Sequence, residues 1–336
     1  LQVLSQWNDR FSTDASVSYR RYVTERIPNS RLPAVAVLVN PSAILFMGTE
    51  ENSYLNRLET GTWNAAFSGQ LAFGAHELKA GVDWSRNDID NLYGRRINGT
   101  YGFFGLQYFN AGIATPFRFS YPAGGDSTSM AADWALSNLG MYLQDTWMIS
   151  DRLTITAGLR YDRSSVGDSP IHNAGAQTAF GYDNRETLAG EGLLQPRLSF
   201  NYDKGDGFVV RGGVGLFRGQ APDVWLSNPF SNTGLNYIDY NFPVFPGFNP
   251  DPDNQIAGVP AAAPGATQSI DLIDPNLDQP SIWKANLAVE NDLPWWGARG
   301  SVELVLASVD QGIYYQNLNL GNATASGQDG RALYWN

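Results

Sequence analysis

Apolar and polar residues alternate with a period of two along much of this chain, and this alternation predicts β-strands. Between residues 153 and 162, Leu, Ile, Ala, Leu and Tyr at odd positions alternate with Thr, Thr, Gly, Arg and Asp at even positions. Successive side chains of a strand point to opposite faces, so one face of such a strand is apolar and the other is polar or small. The same strand–turn–strand unit recurs along the chain, which favours a transmembrane β-barrel.

Five hairpins are predicted, with roughly ten strands of about ten residues or more, the length expected of tilted membrane strands. Short turns lie near residues 9, 75, 151, 206 and 295, and they alternate with long connections at 23–54, 87–136, 164–192 and 219–279. Such long connections are rare in compact soluble domains, whereas outer-membrane barrels combine short periplasmic turns with long extracellular loops. The expected fold is all-β, an antiparallel transmembrane barrel.

Tryptophan positions support this interpretation, because outer-membrane barrels carry aromatic girdles at both membrane interfaces. Seven tryptophans are expected close to strand ends. They are Trp7, Trp63, Trp84, Trp147, Trp283, Trp295 and Trp296.

Composition narrows the remaining possibilities. The 336 residues include 35 Gly, 18 Pro and 13% aromatic side chains, a mixture that favours strands and turns over helices. No apolar run in the sequence is long enough for a membrane-spanning helix. The net charge of −11 argues against nucleic acid as a partner, because phosphate binding requires a clustered basic surface. The absence of Cys excludes thiolate metal sites and is compatible with an oxidising envelope compartment.

Four segments, in order along the chain, resemble TonB-dependent outer-membrane transporters. The segment LGMYLQDTWMISDRLTITAGLRYD at 139–162 is similar to the family's Tyr-x-Gln-Asp-x-Trp strand, short turn and Gly-Leu-Arg-Tyr-Asp return. The other three are HELKAGVDW at 76–84, LLQPRLSFNYDKGDGFVVRGGVGLFRG at 193–219 and QPSIWKANLAVENDLPWWG at 279–297. Together with VWLSNPFSNTG at 224–234, the last of these resembles the Oar-like branch of the family.

This resemblance implies a barrel of about 22 strands that encloses a plug domain. It implies a location in the outer membrane of a Gram-negative cell, with the lipid bilayer, its lipopolysaccharide, the protein's own plug domain and TonB as partners. Energised uptake or surface binding of an unidentified ligand follows from the same resemblance. Residues 1–336 are expected to be part of one barrel domain, with the plug, the TonB-contacting amino-terminal segment and the closing strands outside this sequence.

Charged residues on the polar side of the predicted strands are candidates for a lumen-facing surface. In a wide barrel that side faces a plug or a wet interior. The alternative is that these charges form interstrand pairs that only hold the wall together. The lumen-facing candidates are Arg160, Asp162, Arg197, Asp203, Arg211, Lys284 and Glu290.

Aromatic residues in the long connections are candidates for ligand contact, because exposed rings mixed with Asn and Gly suit amphipathic ligands. The alternative is that the rings pack on one another and fold the loops. The ligand-contact candidates are Tyr101, Phe103, Phe104, Tyr108, Trp225, Phe230, Tyr237 and Tyr240.

Catalytic and metal sites find little support. The chain has two His, no Cys and neither a Gly-x-Ser-x-Gly nor an HExxH motif, so no catalytic residue, metal ligand or cofactor is expected. Two alternatives to an energised transporter stay open from the sequence. One is a passive porin-like or structural outer-membrane barrel, and the other is a soluble β-rich carbohydrate-binding protein.

Overall fold

The computed structural model describes residues 1–188, 190, 192–220, 223–255 and 266–334. In chain order the strands are β1 (Gln2–Asn8), β2 (Phe11–Glu25), β3 (Ala34–Asn40), β4 (Ala43–Met47), β5 (Leu55–Phe73), β6 (His76–Gly94), β7 (Thr100–Phe103), β8 (Ile113–Ala114), β9 (Phe117–Pro122), β10 (Ala131–Ser150), β11 (Leu153–Val166), β12 (Gly192–Asp203), β13 (Val209–Arg218), β14 (Tyr237–Phe242), β15 (Phe245–Pro246), β16 (Ala266–Thr267), β17 (Ser281–Asp292), β18 (Arg299–Gln311), β19 (Ala325–Ser326) and β20 (Ala332–Leu333). The α-helices are α1 (Leu106–Asn110), α2 (Ala174–Phe180) and α3 (Asp223–Ser231), and short 3₁₀ helices occur at Ala123–Gly125, Ser127–Met130, Pro252–Asn254 and Leu318–Leu320. None of the helices in these ranges is long and apolar enough to cross a membrane.

Ten of the strands form one antiparallel sheet, which we call the wall. Its strand order, β1-β2-β5-β6-β10-β11-β12-β13-β17-β18, follows the chain, so consecutive wall strands are neighbours. The five predicted hairpins, with short turns alternating with long connections, are confirmed. Across the described residues β1 and β18 each pair with one wall strand only, so the wall is an open sheet there and not a closed barrel.

Large apolar side chains cover one face of the wall, the apolar face, in a band next to the short turns. On β5 the band extends from Phe73 to Trp63, and beyond Trp63 the alternation places Glu59 on the same face. On β6 the band ends at Trp84 and is followed by Arg86. Ten strand residues span about 34 Å, which a tilt of roughly 40° reduces to about 26 Å. This matches the apolar band of an outer-membrane barrel.

Trp63 and Trp84 mark the border of the apolar band and do not lie at strand ends, which corrects the expectation from the sequence. Both lie well inside 19-residue strands, because β5 and β6 continue past the band. The wall strands are longer than predicted. For example, β6 ends at Gly94 and β10 begins at Ala131, inside the connection expected at 87–136.

The long connections are folded, and the sheet that they form was not predicted from the sequence. We number them loop 1 (26–54), loop 2 (95–130), loop 3 (167–191) and loop 4 (219–280). Loops 1, 2 and 4 together form a six-stranded sheet, the loop sheet, in the order β16-β14-β9-β7-β3-β4. Its buried core consists of Val35, Val37, Tyr101, Phe103, Ala114, Phe117, Phe119 and Tyr240. Residues 189, 191, 221–222 and 256–265, which the sequence assigns to loops 3 and 4, lie outside the described residues, as do residues 335–336.

Candidate functional site

The second face of the wall, the polar face, carries three layers of side chains between the long loops and the short turns. Nearest the loops, this face is apolar and is covered by α3 of loop 4. The Trp134 ring stacks on Phe230 at a centroid distance of 5.3 Å, and its indole Nε1 donates a 2.9 Å hydrogen bond to Ser227 Oγ. All three residues are buried. Loop 4 is therefore folded over the polar face of β10.

The middle layer is an ion-pair network that links β6, β11 and β12. Arg160 Nη1 lies 2.7 Å from Asp83 Oδ2, and Arg160 Nη2 lies 2.6 Å from Asp162 Oδ1. The Gln195 side chain donates a hydrogen bond to Asp162, and both of these residues are buried. Arg160 crosses the backbone of β10 at Gly140, where an added Cβ would overlap the guanidinium. The charges of this layer are therefore satisfied within the wall.

Toward the short turns the polar face opens into a cleft of about 710 Å³. The guanidinium carbon of Arg197 lies 4.5 Å from the ring centroid of Phe217, and the ammonium nitrogen of Lys284 lies 5.9 Å from the same centroid. Gly158 and Gly215 pair with Arg197 on its two sides, so the strands next to it add no side chain there. The cleft, which Lys79, Tyr142 and Glu303 also line, therefore presents Arg197, Lys284, the Phe217 ring and open space.

Arg211, Glu290 and Asp203 lie beside the short turns. Arg211 Nη1 and Glu290 Oε1 pair at 2.5 Å between β13 and β17. Asp203 accepts a 2.8 Å hydrogen bond from the backbone N–H of Gly205 and so stabilises the turn after β12. The seven lumen-facing candidates thus divide between the middle layer (Arg160, Asp162), the cleft (Arg197, Lys284) and the turn end (Asp203, Arg211, Glu290). A role for any of them in transport stays a prediction.

Four of the eight aromatic ligand-contact candidates are buried, which corrects the expectation of exposed rings at these positions. Tyr101 and Tyr240 have 0% of their surface exposed and Phe103 has 2%. Phe230 is buried against Trp134. These rings form the cores of the folded loops, and the sequence left that alternative open.

The other aromatic candidates keep accessible surface. Phe104, Tyr108 and Trp225 are exposed, and Phe104 is the most open of them at 66%. Tyr237 is half-buried and its hydroxyl donates a 2.9 Å hydrogen bond to Asn232 Oδ1. Burial raises the pKa of Tyr237 to about 12. Ligand contact by these residues stays a prediction.

Ion pairs fasten the loops to one another. Glu51 of loop 1 pairs with Arg95 of loop 2 and, at 3.0 Å, with Arg96. Burial alone would raise the pKa of Glu51, but hydrogen bonds and charge from Arg95 and Arg96 outweigh it and hold this pKa below its ordinary value. Arg31 of loop 1 pairs with Asp253 of loop 4. Within the described ranges, no group of three or more His, Cys, Asp or Glu side chains is arranged to hold a metal ion.

An antiparallel sheet with one banded apolar face and one charged face is the wall of an outer-membrane barrel. The comparison with known families agrees: residues 5–301 match the family described as outer membrane beta barrel domain, and this chain belongs to that family. The protein therefore lies in the outer membrane of a Gram-negative cell. This location excludes the soluble carbohydrate-binding alternative.

Similarity to individual proteins is partial. The chain is 34% identical over 101 residues to the TonB-dependent transporter Oar of Myxococcus xanthus, which covers 27% of this chain and 9% of that protein. The copper transporter OprC aligns with 91% of this chain and 38% of its own, at 13% identity and a TM-score of 0.45. The FrpB iron transporter from Neisseria meningitidis aligns with 90% of this chain and 44% of its own, at 10% identity and a TM-score of 0.41. This chain thus spans less than half the length of each of these three relatives.

Sequence reasoning missed Asp83, which pairs with the predicted Arg160, and Lys79, which lines the cleft. Both lie on the polar side of β6, so their face could be read from the alternation. The partner of Asp83 could not be read from the sequence, because Asp83 meets Arg160 across an intervening strand. Phe217 continues the polar side of β13, and an aromatic residue on that side was the signal for the cleft.

Proposed function

We propose that this chain is part of the wall of a TonB-dependent transporter of about 22 strands. In this proposal residues 1–336 belong to one barrel domain, and the plug, the TonB-contacting segment and the closing strands lie in other parts of the protein. The transporter takes up, or binds at the cell surface, an unidentified ligand with energy delivered through TonB. Its other partners are its own plug domain and the lipopolysaccharide around it. The proposal includes no catalytic step.

The polar face of the wall is the observation that carries this proposal. That face is concave and charged, and a cleft of about 710 Å³ exposes Arg197 and Lys284 on it. An open, charged surface of this kind suits a wide barrel that receives a plug or a polar ligand.

The two edges of the wall support a larger barrel. Unpaired backbone N–H and C=O groups are not tolerated in lipid, so strands β1 and β18 need further strand partners in the membrane. The four sequence segments and the partial identity to Oar support TonB dependence. A passive porin-like or structural barrel is the alternative, because it would have the same two faces.

Two measurements on the full-length protein in detergent test the proposal. We expect it to bind the purified periplasmic domain of TonB, and we expect no steady conductance in planar lipid bilayers because a plug fills the lumen. A stable open conductance without TonB binding would contradict the proposal and favour the passive barrel.

A further inference from the structure

The cleft cations lie in a single row of paired residues that crosses the wall without an acidic side chain. Each member of this cationic row is paired with the next on the neighbouring strand, and all side chains in it belong to the polar face. From β1 to β18 the row is Gln6, Ser12, Gln70, Lys79, Gln144, Gly158, Arg197, Gly215, Lys284 and Ala307. The row therefore has three positive charges and no negative charge.

Arg197 and Lys284 also lack ion-pair partners among the residues that the structure describes. Two other cations of the polar face have them: Arg160 pairs with Asp83, and Arg211 pairs with Glu290. Arg197 and Lys284 differ from those two because they line one cleft together without an acidic partner. Such a pair facing one cleft attracts an anion, because the low-dielectric wall focuses its potential.

One acidic residue lines the same cleft and is hydrogen-bonded to a neighbouring amide. Glu303 of β18 lines the cleft, and its Oε1 accepts a 2.9 Å hydrogen bond from the amide of Asn286. Glu303 forms no ion pair with Lys284 in the described part of the chain. Arg197 and Lys284 therefore remain available to an anion from outside the wall.

The backbone around Arg197 leaves room for such an anion. A Cβ added at Gly215 would lie 3.0 Å from Arg197 Cγ and 3.2 Å from the Phe217 ring, so a larger residue there would crowd both. Gly215, which lies between Arg197 and Lys284 in the register, forms the floor of the cleft with its backbone. The Phe217 ring beside it offers an apolar surface to the carbon skeleton of a bound group.

We infer that Arg197 and Lys284 form a binding site for carboxylate groups, with Phe217 beside the bound group and Lys79 as a further cation of the same row. The guanidinium fork matches the two oxygens of a carboxylate, and the lysine ammonium supplies a second, mobile donor. The carboxylate comes either from a free ligand in the lumen or from an acidic side chain of the plug. This inference rests on the proposed function, because it assigns a ligand chemistry to the lumen surface.

Calorimetric titration of the full-length protein in detergent with citrate, at low salt, tests the free-ligand source. We expect saturable binding that weakens at least tenfold in the double variant Arg197→Gln/Lys284→Gln. The double variant Arg152→Gln/Lys204→Gln removes the same charge at two short turns and should bind citrate normally. Inorganic phosphate that binds as tightly as citrate would overturn the assignment to carboxylates.

Zero-length carbodiimide cross-linking of the unmodified protein tests the plug source and needs no variant. An amide bond between Lys284 and an acidic residue of the full-length protein other than residues 1–336 would place a plug carboxylate in the site. Citrate would then bind weakly or not at all. Lys204 lies 2.6 Å from Asp206, so a link between them is the positive control. A link from Lys284 to Glu303 would overturn the inference.

Absence of both citrate binding and a Lys284 link would also overturn the inference. Both experiments measure occupancy of the site in purified protein and require neither TonB nor transport. The site and the proposed function can therefore fail separately. A passive barrel can bind a carboxylate at this site, and a TonB-dependent transporter can lack such binding.

Discussion

Arg160 and Asp83 form a two-point ion pair across the backbone of β10, the strand that separates them. The distances are 2.7 Å from Nη1 to Oδ2 and 2.9 Å from Nη2 to Oδ1. This contact is possible because the residue of β10 between them is Gly140, which has no side chain. One pair thus ties together three consecutive strands of the wall.

We predict that Gly140→Ala lowers the free energy of unfolding by about 1 kcal/mol, because the new methyl group displaces the guanidinium and breaks a partly exposed pair. Urea unfolding of the full-length protein in lipid vesicles measures this change. Gly158→Ala is the matched control, because its Cβ would meet no atom closer than 3.5 Å. Once Gly140→Ala is present, Asp83→Asn should cost less than it does alone, and full additivity of the two changes would contradict the pairing.

The two faces of the wall predict opposite responses to a new charge. Val214 lies in the apolar band and Thr156 lines the cleft. Val214→Arg or Ile155→Arg should lower the free energy of unfolding by about 2–4 kcal/mol near the bilayer midplane, whereas Thr156→Arg should have a much smaller effect. The same vesicle unfolding assay measures all three variants. Equal losses at 155 and 156 would be incompatible with the assigned faces.

Packing of α3 on the wall predicts that loop 4 depends on Trp134. Trp134→Ala removes the stacking with Phe230 and the hydrogen bond to Ser227, so the local stability of loop 4 should fall by about 3 kcal/mol. Limited proteolysis on intact cells should then cut loop 4 faster. Val224→Ala is the control, because that side chain lies on the same helix and is exposed, and similar cleavage in both variants would refute the packed position of α3.

Alkaline pH should loosen the loop sheet through Tyr101. Burial raises the pKa of Tyr101 to about 12, whereas an unfolded tyrosine ionises near pH 10. The folded state thus holds this proton while the unfolded state releases it, so stability is full below about pH 10 and falls as pH rises toward 12.

Tyr101→Phe should reduce this alkaline loss of stability. The rate of proteolysis of loops 1 and 2, measured between pH 9 and roughly 12, reports the loss. Tyr108→Phe, at an exposed ring, should leave the loss unchanged. An identical pH profile for Tyr101→Phe and the unmodified protein would argue against this role for the buried phenol.

The alternation along the chain predicted the wall well, because a period of two fixes the face of each side chain locally. Arg160 and Lys284 could be assigned to the polar face from their own strands. Their environments could not: Arg160 meets Asp83 only through the register of three strands, and Lys284 approaches Phe217 through the pairing of β13 with β17.

The loops were harder to predict because their order depends on contacts between distant segments. Tyr101 and Phe104 are close in sequence and similar in chemistry, yet one is fully buried and the other is exposed. Tyr101 is buried because β3 of loop 1 and β9 of loop 2 pair on either side of its strand. No local pattern encodes that pairing.

The alternation of lipid and water contact along β11 tests the central claim most directly. The chain has no Cys, so a single Cys at each position from 153 to 162 can carry a nitroxide label in the full-length protein in lipid vesicles. We predict that relaxation by oxygen is highest at odd positions such as Ile155 and Leu159, whereas relaxation by a water-soluble nickel complex is highest at even positions such as Thr156 and Gly158. A profile without this two-residue period would contradict the account of β11 as a strand of an outer-membrane barrel wall.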